Sequence, residues 1–329
     1  MRAIRLHAFG PADNLRYEEV MDPRPAAGQV RIAVRAAGVH LVDTVLRAGS
    51  YRNGPMPAPE LPTIPGREVA GVVDEVGDGV DRGWLGKRVV AHLGMVPGGY
   101  AELAVRDVDS VHELPDRVGF ETAIAMIGTG RTTMGILEVA ALRADDVVLV
   151  AAAAGGIGNL LVQAALGVGA TVVGLAGGAV KVARVREIGA TYAVDYRRPD
   201  WQETVRAVLG ERTATVGLEG VGGEIGNGVM DLLGVGGRLV MYGWADSSGG
   251  PTKVTTEKLY AGGLTASVGV GPRVLERPGG LRSLEEKALA AAAVGTLVPL
   301  TQSFPLKDAA AAHTALETRA TIGKVVLVP

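Results

Sequence analysis

The chain has 329 residues, which predicts two domains, and its 33 basic and 35 acidic residues leave a formal net charge of −2. Because no block of five or more basic residues occurs, the sequence disfavours nucleic acid and membrane surfaces as partners and favours a small molecule. The absence of cysteine excludes thiolate catalysis and cysteine-bound zinc, and the N-terminal stretch has no signal-peptide pattern, so a cytoplasmic location is expected.

The first region, residues 1–120, consists of short segments in which apolar and polar residues alternate. Glycine, proline and aspartate separate these segments, as is typical of turns between strands. The pattern predicts an antiparallel, β-rich domain whose candidate strands are residues 30–39, 68–77, 87–94 and 99–107.

In the second region, residues 121–262, apolar strand-like segments alternate with segments of helical period. This alternation predicts a doubly wound α/β domain with a parallel sheet. The candidate strands are residues 147–151, 171–175, 192–195, 214–218 and 238–243.

The third region, residues 263–329, contains two alanine-rich helical segments, 283–294 and 307–318, and ends in the strand-like stretch KVVLVP. We expect this strand to return to the first domain. The predicted organisation is therefore a discontinuous domain of residues 1–120 and 263–329 around a domain of residues 121–262.

A run without charged residues, 147–180, is long enough to cross a membrane but contains eight glycines. These glycines disfavour one continuous helix. A better interpretation is a buried strand, a glycine turn, a helix and a second strand. In such a turn, Gly155, Gly156 and Gly158 allow close approach of a pyrophosphate to the free N–H groups of the helix; a purely structural turn is the alternative.

The end of the second predicted strand indicates which nucleotide binds. An NAD site usually has an acidic residue there for the ribose hydroxyls, but no acidic residue occurs between Asp146 and Glu187. Lys181 and Arg184 follow one helical turn apart and are suited to a 2′-phosphate. NADPH is therefore favoured over NADH; for the two basic residues alone, a solvated helix face is the alternative.

Over nearly its whole length the sequence resembles the zinc-independent quinone oxidoreductase branch, which includes ζ-crystallin, of the medium-chain dehydrogenase/reductase superfamily. The resemblance implies a GroES-like β-rich catalytic domain and a Rossmann domain that binds NADPH. The stretches that carry it are AAGVHLVDTVLRAGSY, LPTIPGREVAGVVDEVG, GGYAE, AAAAGGIG, EGVGG, GGRLVMYG and ETRATIGKVVLVP.

The resemblance also implies which residues bind the cofactor. Thr132 is expected near the nicotinamide amide, and Lys181, Tyr196 and Arg319 near the adenosine 2′-phosphate. The expected cofactor-binding set is Thr132, Gly155, Gly156, Ile157, Gly158, Lys181, Tyr196, Gly243 and Arg319.

No metal site is expected. Zinc-dependent relatives use Gly-His-Glu where this chain has Gly66-Arg67-Glu68, and the chain has no cysteine to complete either zinc site. Without a Lewis acid, simple alcohol oxidation is disfavoured, and reduction of a quinone or an α,β-unsaturated carbonyl fits better.

Candidate catalytic residues lie in AAGVHLVDTVLRAGSY, where His40 and Val45 depart from the common pattern of the family, which is often asparagine and tyrosine there. Tyr51 is the preferred hydrogen-bond or proton donor, with a packed rim tyrosine as the alternative. His40 is suited to proton donation near neutral pH or to a hydrogen bond with the cofactor ribose. Asp43 is expected to orient its neighbours.

These residues predict hydride transfer from NADPH to a quinone in the cleft between the domains. Reduction of the C=C bond of an enone or enoyl thioester is the alternative, and a non-catalytic NADPH-binding protein, crystallin-like or a sensor, is the alternative from another class. The resemblance implies a homodimer, with residues 263–270 as a plausible edge strand.

Overall fold

The structure is a computed structural model that describes residues 1–50, 59–94, 96, 98–245 and 249–329. The chain divides into two compact units, a first unit of residues 1–128 and 299–329 and a second unit of residues 129–298. The strands of the described residues, in chain order, are β1 (Arg2–Leu6), β2 (Leu15–Glu19), β3 (Gln29–Val39), β4 (Glu68–Val76), β5 (Arg88–His92), β6 (Leu103–Asp107), β7 (Val111–Glu113), β8 (Val147–Val150), β9 (Thr171–Ala176), β10 (Tyr192–Asp195), β11 (Ala214–Glu219), β12 (Leu233–Met241), β13 (Thr265–Val268), β14 (Thr301–Pro305) and β15 (Lys324–Val328).

The α-helices of the described residues are α1 (Leu41–Arg47), α2 (Phe120–Ile124), α3 (Arg131–Ala140), α4 (Gly156–Gly167), α5 (Ala179–Glu187), α6 (Trp201–Leu209), α7 (Gly223–Asp231), α8 (Thr256–Gly262), α9 (Pro272–Leu275), α10 (Gly280–Val294) and α11 (Ala309–Glu317). A π-helical segment, Ala125–Gly130, precedes α3. Short 3-10 helices lie at Ala12–Asn14, Arg82–Trp84, Val108–Ser110 and Leu306–Asp308.

The second unit is built on a six-stranded sheet in the order β10-β9-β8-β11-β12-β13. Each pair of neighbouring strands is parallel. Successive residues of β8 face opposite cores: Val148 and Val150 join one apolar cluster, whereas Val147 and Leu149 join another. Burial on both faces explains the continuous apolar run of this strand, and it confirms the predicted doubly wound α/β fold.

The first unit contains a mostly antiparallel sheet in the order β14-β15-β3-β4-β5-β7, with β6 also paired to β3, and a separate β1–β2 ribbon. Strand β15 lies antiparallel to β3 and parallel to β14. The return of the C-terminal strand to the first domain, expected from KVVLVP, is confirmed, as is the β-rich character of the region.

The limits of the two units differ from the predicted boundaries at residues 120 and 262. Residues 263–298, expected in the first domain, belong to the second unit, because β13 extends the parallel sheet next to β12. Helix α10 also packs in this unit, where Arg131 of α3 donates a hydrogen bond of 2.9 Å to Glu285. The first unit in turn continues to residue 128.

The uncharged run 147–180 folds as β8, α4, β9 and the start of α5. Within the residues that the structure describes, no helix is long and apolar enough to cross a membrane.

Candidate active site

The glycine turn of the second unit connects β8 to α4. Ala152 takes a left-handed backbone conformation with φ of 50°. The N–H of Gly155 donates to the carbonyl of Ala152 at 2.8 Å, and α4 begins at Gly156. The chain therefore reverses direction within a few residues and presents the N-terminus of a helix at the end of the central strand.

Gly158 is required by the packing of this turn. A Cβ at Gly158 would lie 2.2 Å from the carbonyl oxygen of Ala152, a backbone atom that cannot easily move away. The first N–H groups of α4, which begins at Gly156 and continues through Ile157, have no acceptor within the helix and attract an anion. The geometry thus suits the pyrophosphate of a dinucleotide.

A second glycine pair, Gly177 and Gly178, follows β9. Asp195, at the end of β10, accepts hydrogen bonds from the N–H groups of Gly178 at 2.9 Å and Arg197 at 3.0 Å. A Cβ at Gly177 would lie 2.9 Å from Nε of Arg197 and 3.1 Å from the ring of Tyr196. Tyr196 and Arg197 therefore lie directly against the end of β9, where the sequence lacks an acidic residue.

The basic residues of α5 have different surroundings. Lys181 is half-buried in the first turn of the helix. Arg184 is exposed and forms a salt bridge of 2.6 Å with Glu187, one turn further on. Of the two basic residues suggested by spacing, Arg184 thus has a surface partner on its own helix, which weakens its assignment to a phosphate.

The other predicted cofactor residues lie at three places. Thr132 is the second residue of α3, directly after the π-helical segment, a geometry frequent at functional sites. Gly243 follows β12, and a Cβ there would lie 3.5 Å from the carbonyl oxygen of Gly220. Arg319 belongs to the first unit, follows α11 and has a left-handed φ of 58°.

In the first unit, His40 is the residue before α1, and Asp43 lies in the first turn of that helix. The carboxylate of Asp43 accepts a hydrogen bond of 2.8 Å from the backbone N–H of His40. It accepts another of 3.1 Å from the hydroxyl of Tyr100. Asp43 is only 4% exposed, so its carboxylate faces these two groups and is largely shielded from solvent.

The hydroxyl of Tyr100 also lies 3.1 Å from Nε2 of His313, so a buried network links α1 to α11. Burial raises the pKa of the Tyr100 hydroxyl well above its usual value, and the charge of Asp43 adds to this effect. Burial also lowers the pKa of His313 to about 4, although Asp43 partly opposes the shift. Both groups are therefore neutral at pH 7.

Three side chains from distant parts of the sequence meet next to this network. Nε2 of His40 lies 2.6 Å from Oε1 of Glu68 and 2.7 Å from Nζ of Lys324. Nζ of Lys324 lies 2.8 Å from Oε2 of Glu68. We call His40, Glu68 and Lys324 the charge triangle.

Burial differs sharply within the charge triangle: Glu68 is 0% and Lys324 4% exposed, whereas the side chain of His40 is 26% exposed. Burial alone would raise the pKa of Glu68, but His40 and Lys324 outweigh it and hold the pKa well below its usual range. Burial lowers the pKa of Lys324, and the charge of Glu68 offsets only part of that shift.

Glycines make room for the buried carboxylate. A Cβ at Gly38 would lie 2.0 Å from Oε2 of Glu68, and a Cβ at Gly128 would lie 1.7 Å from Oε1. Any residue larger than glycine at position 38 or 128 would therefore clash with the carboxylate of Glu68.

Tyr51, the preferred donor from the sequence, lies outside the described residues. The residues that the structure does describe contain no group of three or more His, Cys, Asp or Glu side chains arranged to hold a metal ion. A guanidinium nitrogen of Arg67, which replaces the histidine of zinc-dependent relatives, lies 3.9 Å from Asp43.

Sequence reasoning missed five residues that the structure places in the charge triangle, in the buried network beside it or at the end of β9: Glu68, Tyr100, Arg197, His313 and Lys324. Three of them lie in the stretches GREVAG, GGYAE and GKVVLVP that carry the family resemblance. A charged residue inside an apolar strand, such as the lysine of GKVVLVP, is a usable signal, because a buried charge requires a partner. Arg197 was detectable as a basic residue directly after Tyr196.

A doubly wound nucleotide-binding unit together with a β-rich unit bearing proton-donating side chains defines a two-domain dehydrogenase or reductase. Family models support this class: residues 156–274 match the zinc-binding dehydrogenase model and residues 26–116 the alcohol dehydrogenase GroES-like domain.

Whole-chain comparisons identify the family. Quinone oxidoreductase of Salmonella typhimurium is 31% identical, with 99% of each chain covered. A 2-haloacrylate reductase from a Burkholderia species is 30% identical over 99% of this chain and 98% of its own. Quinone oxidoreductase of Escherichia coli in complex with NADPH superposes with a TM-score of 0.86 at 30% identity, covering 100% of both chains. The chain belongs to the quinone oxidoreductase family, a zinc-independent branch of the medium-chain dehydrogenases and reductases.

Proposed function

We propose that this protein is an NADPH-dependent, zinc-free quinone oxidoreductase that transfers a hydride from NADPH to a quinone. The observation that carries the proposal is the end of β9, where the ordinary acidic partner of an NAD ribose is absent and the side chain of Arg197 lies against Gly177 instead. Family membership supports the reaction, and the NADPH complex of the Escherichia coli relative supports the cofactor.

The residues present fit NADPH. Gly158 leaves no room for a side chain beside the turn, and the N-terminus of α4 is suited to the pyrophosphate. Lys181, Tyr196 and Arg197 would hold the 2′-phosphate, because a phosphate prefers cationic and hydroxyl donors. We also assign Thr132, Gly243 and Arg319 to the cofactor, on the family resemblance.

NADPH supplies the hydride when it is bound. The residues of the first unit stabilise the negative charge that reduction leaves on the substrate oxygen and provide a proton for it. His40 is suited to this role, because it is the partly exposed member of the charge triangle. Asp43 positions His40. Tyr51, on the family resemblance, is a second candidate donor.

Reduction of a C=C bond is the second candidate, because the Burkholderia relative is a 2-haloacrylate reductase. This reaction places a proton on carbon, which requires a positioned acid, whereas a hydroquinone anion takes its proton readily from water. General acid catalysis is worth about 10²–10⁴-fold in rate. Replacing His40 or Tyr51 should therefore cost C=C reduction much more than quinone reduction.

Steady-state oxidation of NADPH and NADH by the purified protein, with a simple quinone and a simple enone side by side, tests the proposal. We expect turnover of the quinone with NADPH, and a rate that falls less than about tenfold in His40→Asn and in Tyr51→Phe. Turnover of the enone alone, with losses of about 100-fold in these variants, would establish the second candidate. Tight NADPH binding without turnover of either acceptor would favour a non-catalytic protein.

We further propose a cytoplasmic homodimer that pairs the edges of two second-unit sheets. Strand β13 ends the order of that sheet and pairs on one side with β12, which leaves an edge that can accept another strand. Sedimentation of the intact protein is expected to give twice the mass of the chain, and a monomer at micromolar concentration would refute this arrangement.

A further inference from the structure

The second unit carries an exposed tryptophan directly after a strand of its parallel sheet. Trp244 follows β12 and is 61% exposed. Of the other two tryptophans in the chain, Trp201 is buried in α6, and Trp84 is half-buried beneath the ammonium of Lys87. In a doubly wound fold, ligands bind outside the carboxyl ends of the strands. The indole of Trp244 is therefore a candidate contact surface for a ligand.

The backbone around Trp244 packs against the turn between β11 and α7. The N–H of Ala245 donates to the carbonyl of Gly220 at 2.9 Å. A Cβ at Gly222 would lie 2.8 Å from the Cβ of Trp244, so only glycine allows this close approach. Gly222 also has a positive φ of 79°, which glycine adopts without strain. The turn thus sets the position of Trp244, while the indole ring remains exposed.

A buried carboxylate braces the same turn. Glu219, at the end of β11, is 0% exposed. Its Oε1 accepts a hydrogen bond of 2.8 Å from the N–H of Gly222, and its Oε2 accepts one of 2.7 Å from the hydroxyl of Thr252. The N–H of Gly223 donates to the carbonyl of Gly250 at 2.8 Å. The chain after β12 is therefore fastened to the turn at several points, which keeps Trp244 in place.

The order of the strands indicates which end of the cofactor lies near Trp244. In the order β10-β9-β8-β11-β12-β13, β11 and β12 lie on the opposite side of β8 from β9. The proposed 2′-phosphate site is at the end of β9, and the pyrophosphate site is at α4, after β8. The hydroxyl of Tyr242 donates to the carbonyl of Ala151 at 3.3 Å and so joins the end of β12 to the glycine turn. An extended dinucleotide on this path directs its nicotinamide towards the ends of β11 and β12.

We propose that Trp244 is the surface on which the ring of the hydride acceptor stacks, and that it selects fused-ring quinones over one-ring quinones. An acceptor must contact the nicotinamide to receive a hydride, so it lies at the same end of the sheet. The face of an indole is electron-rich and a quinone ring is electron-poor, which favours offset stacking. A second fused ring enlarges the stacked area. Trp244 contributes binding alone and forms no bond to the acceptor, whose identity as a quinone rests on the proposed function.

Steady-state kinetics of variants separate the stacking surface from other effects on turnover. In Trp244→Ala we expect the KM for a naphthoquinone to rise about tenfold or more, with kcat and the KM for NADPH unchanged. The KM for benzoquinone should rise about threefold or less, because a single ring stacks over a smaller area. Trp244→Phe keeps an aromatic ring and should restore most of the affinity for the naphthoquinone.

Val235→Ala is the matched control, because Val235 is an exposed side chain near the opposite end of β12. It should change none of these constants. The same naphthoquinone KM in Trp244→Ala as in the wild type, or equal rises for both quinones, would overturn the proposal.

Tryptophan fluorescence measures the stacking without turnover. With NADP⁺ bound, no hydride is available, and a naphthoquinone in contact with an indole quenches its emission. We expect saturable quenching of the Trp244 emission, obtained as the difference between the wild type and Trp244→Phe. The two remaining tryptophans, Trp84 and Trp201, give the background for light absorbed by the quinone. Equal quenching in both proteins would overturn the proposal, and so would NADP⁺ alone if it quenched Trp244 to the same extent.

The two measurements distinguish failure of the stacking surface from failure of the proposed function. If the wild-type protein reduces no quinone but the naphthoquinone quenches Trp244 saturably, the function fails and the stacking surface stands. If quinones are reduced but Trp244→Ala keeps the wild-type KM, the function stands and the stacking surface fails. Thermal unfolding of each variant is the control for folding.

Discussion

The glycine turn of the second unit and the charge triangle of the first unit both depend on glycines, but in opposite ways. In the turn, Gly158 lets backbone approach backbone within a continuous stretch of sequence. In the triangle, Gly38 and Gly128 leave space for the carboxylate of Glu68. A local backbone site is encoded by neighbouring residues, whereas a buried charge site is encoded by the topology that brings distant strands together.

The largest expected effect concerns the buried carboxylate. Glu68→Gln leaves the buried ammonium of Lys324 without its counterion, and breaking a buried pair in this way costs about 3–5 kcal/mol. Denaturant unfolding measures the loss. Glu113→Gln is the control, because its pair with Lys87 is largely exposed and is worth about 1 kcal/mol or less. Equal losses of stability in both variants would mean that the charge triangle contributes no more to stability than an exposed ion pair does.

The next effect is a pH dependence of stability due to His313. Its pKa is about 4 in the folded protein against 6.5 ordinarily, so the unfolded chain binds more protons between these values. The contribution of His313 to the free energy of unfolding is therefore complete above pH 6.5. It decreases by about 3 kcal/mol in all as the pH falls towards 4.

Denaturant unfolding at pH 8, 6.5 and 5 tests this dependence, with His313→Gln expected to flatten it. His7→Gln is the matched control, because the side chain of His7 is half-exposed and pairs with Glu18 at the surface. A wild-type stability that does not fall below pH 6.5 would contradict the buried neutral state of His313.

A third pair of variants, one at each end of α4, tests the close packing of the glycine turn. Gly158→Ala places a Cβ against the carbonyl of Ala152 and should cost about 1–3 kcal/mol, together with weaker NADPH binding. Gly167→Ala, at the other end of α4, meets no atom within 4 Å and should be neutral or stabilising by up to about 1 kcal/mol. Unfolding and NADPH titrations that do not distinguish the two variants would refute the close approach.

The smallest expected effect is on cofactor choice. Arg197→Ala should weaken NADPH binding about tenfold and leave NADH binding unchanged, because a charge-assisted contact to the 2′-phosphate is lost. Arg198→Ala is the matched control, since Arg198 donates to Asp200 through two nitrogens at 3.0 Å each. Equal losses for NADPH and NADH in Arg197→Ala would place the residue outside the phosphate site.

Sequence reasoning predicted the two folds and the glycine turn, because hydrophobic period and glycine spacing are local signals. It also named His40 and Asp43 as candidate catalytic residues, and the structure places them at the start of α1. It did not predict their partners, since Glu68 and Lys324 are separated in sequence and become neighbours only through the pairing of β3 with β4 and β15.

The error in the predicted domain boundary has a similar cause. Residues 263–270 were expected as a plausible edge strand, but the predicted boundary placed them in the first domain together with the helix that follows. Whether that helix joins the first or the second unit depends on its packing against α3, which no local pattern reveals.

The position of β15 has a consequence for synthesis on the ribosome. Residues 129–298 are complete before Lys324 is made, so the second unit can fold while residues 37–39 of β3 still lack their partner strand and Glu68 still lacks its ammonium partner. The part of the protein that is translated first therefore reaches its final structure last. Nascent chains stalled before residue 324 should carry a protease-resistant second unit and a protease-sensitive N-terminal region.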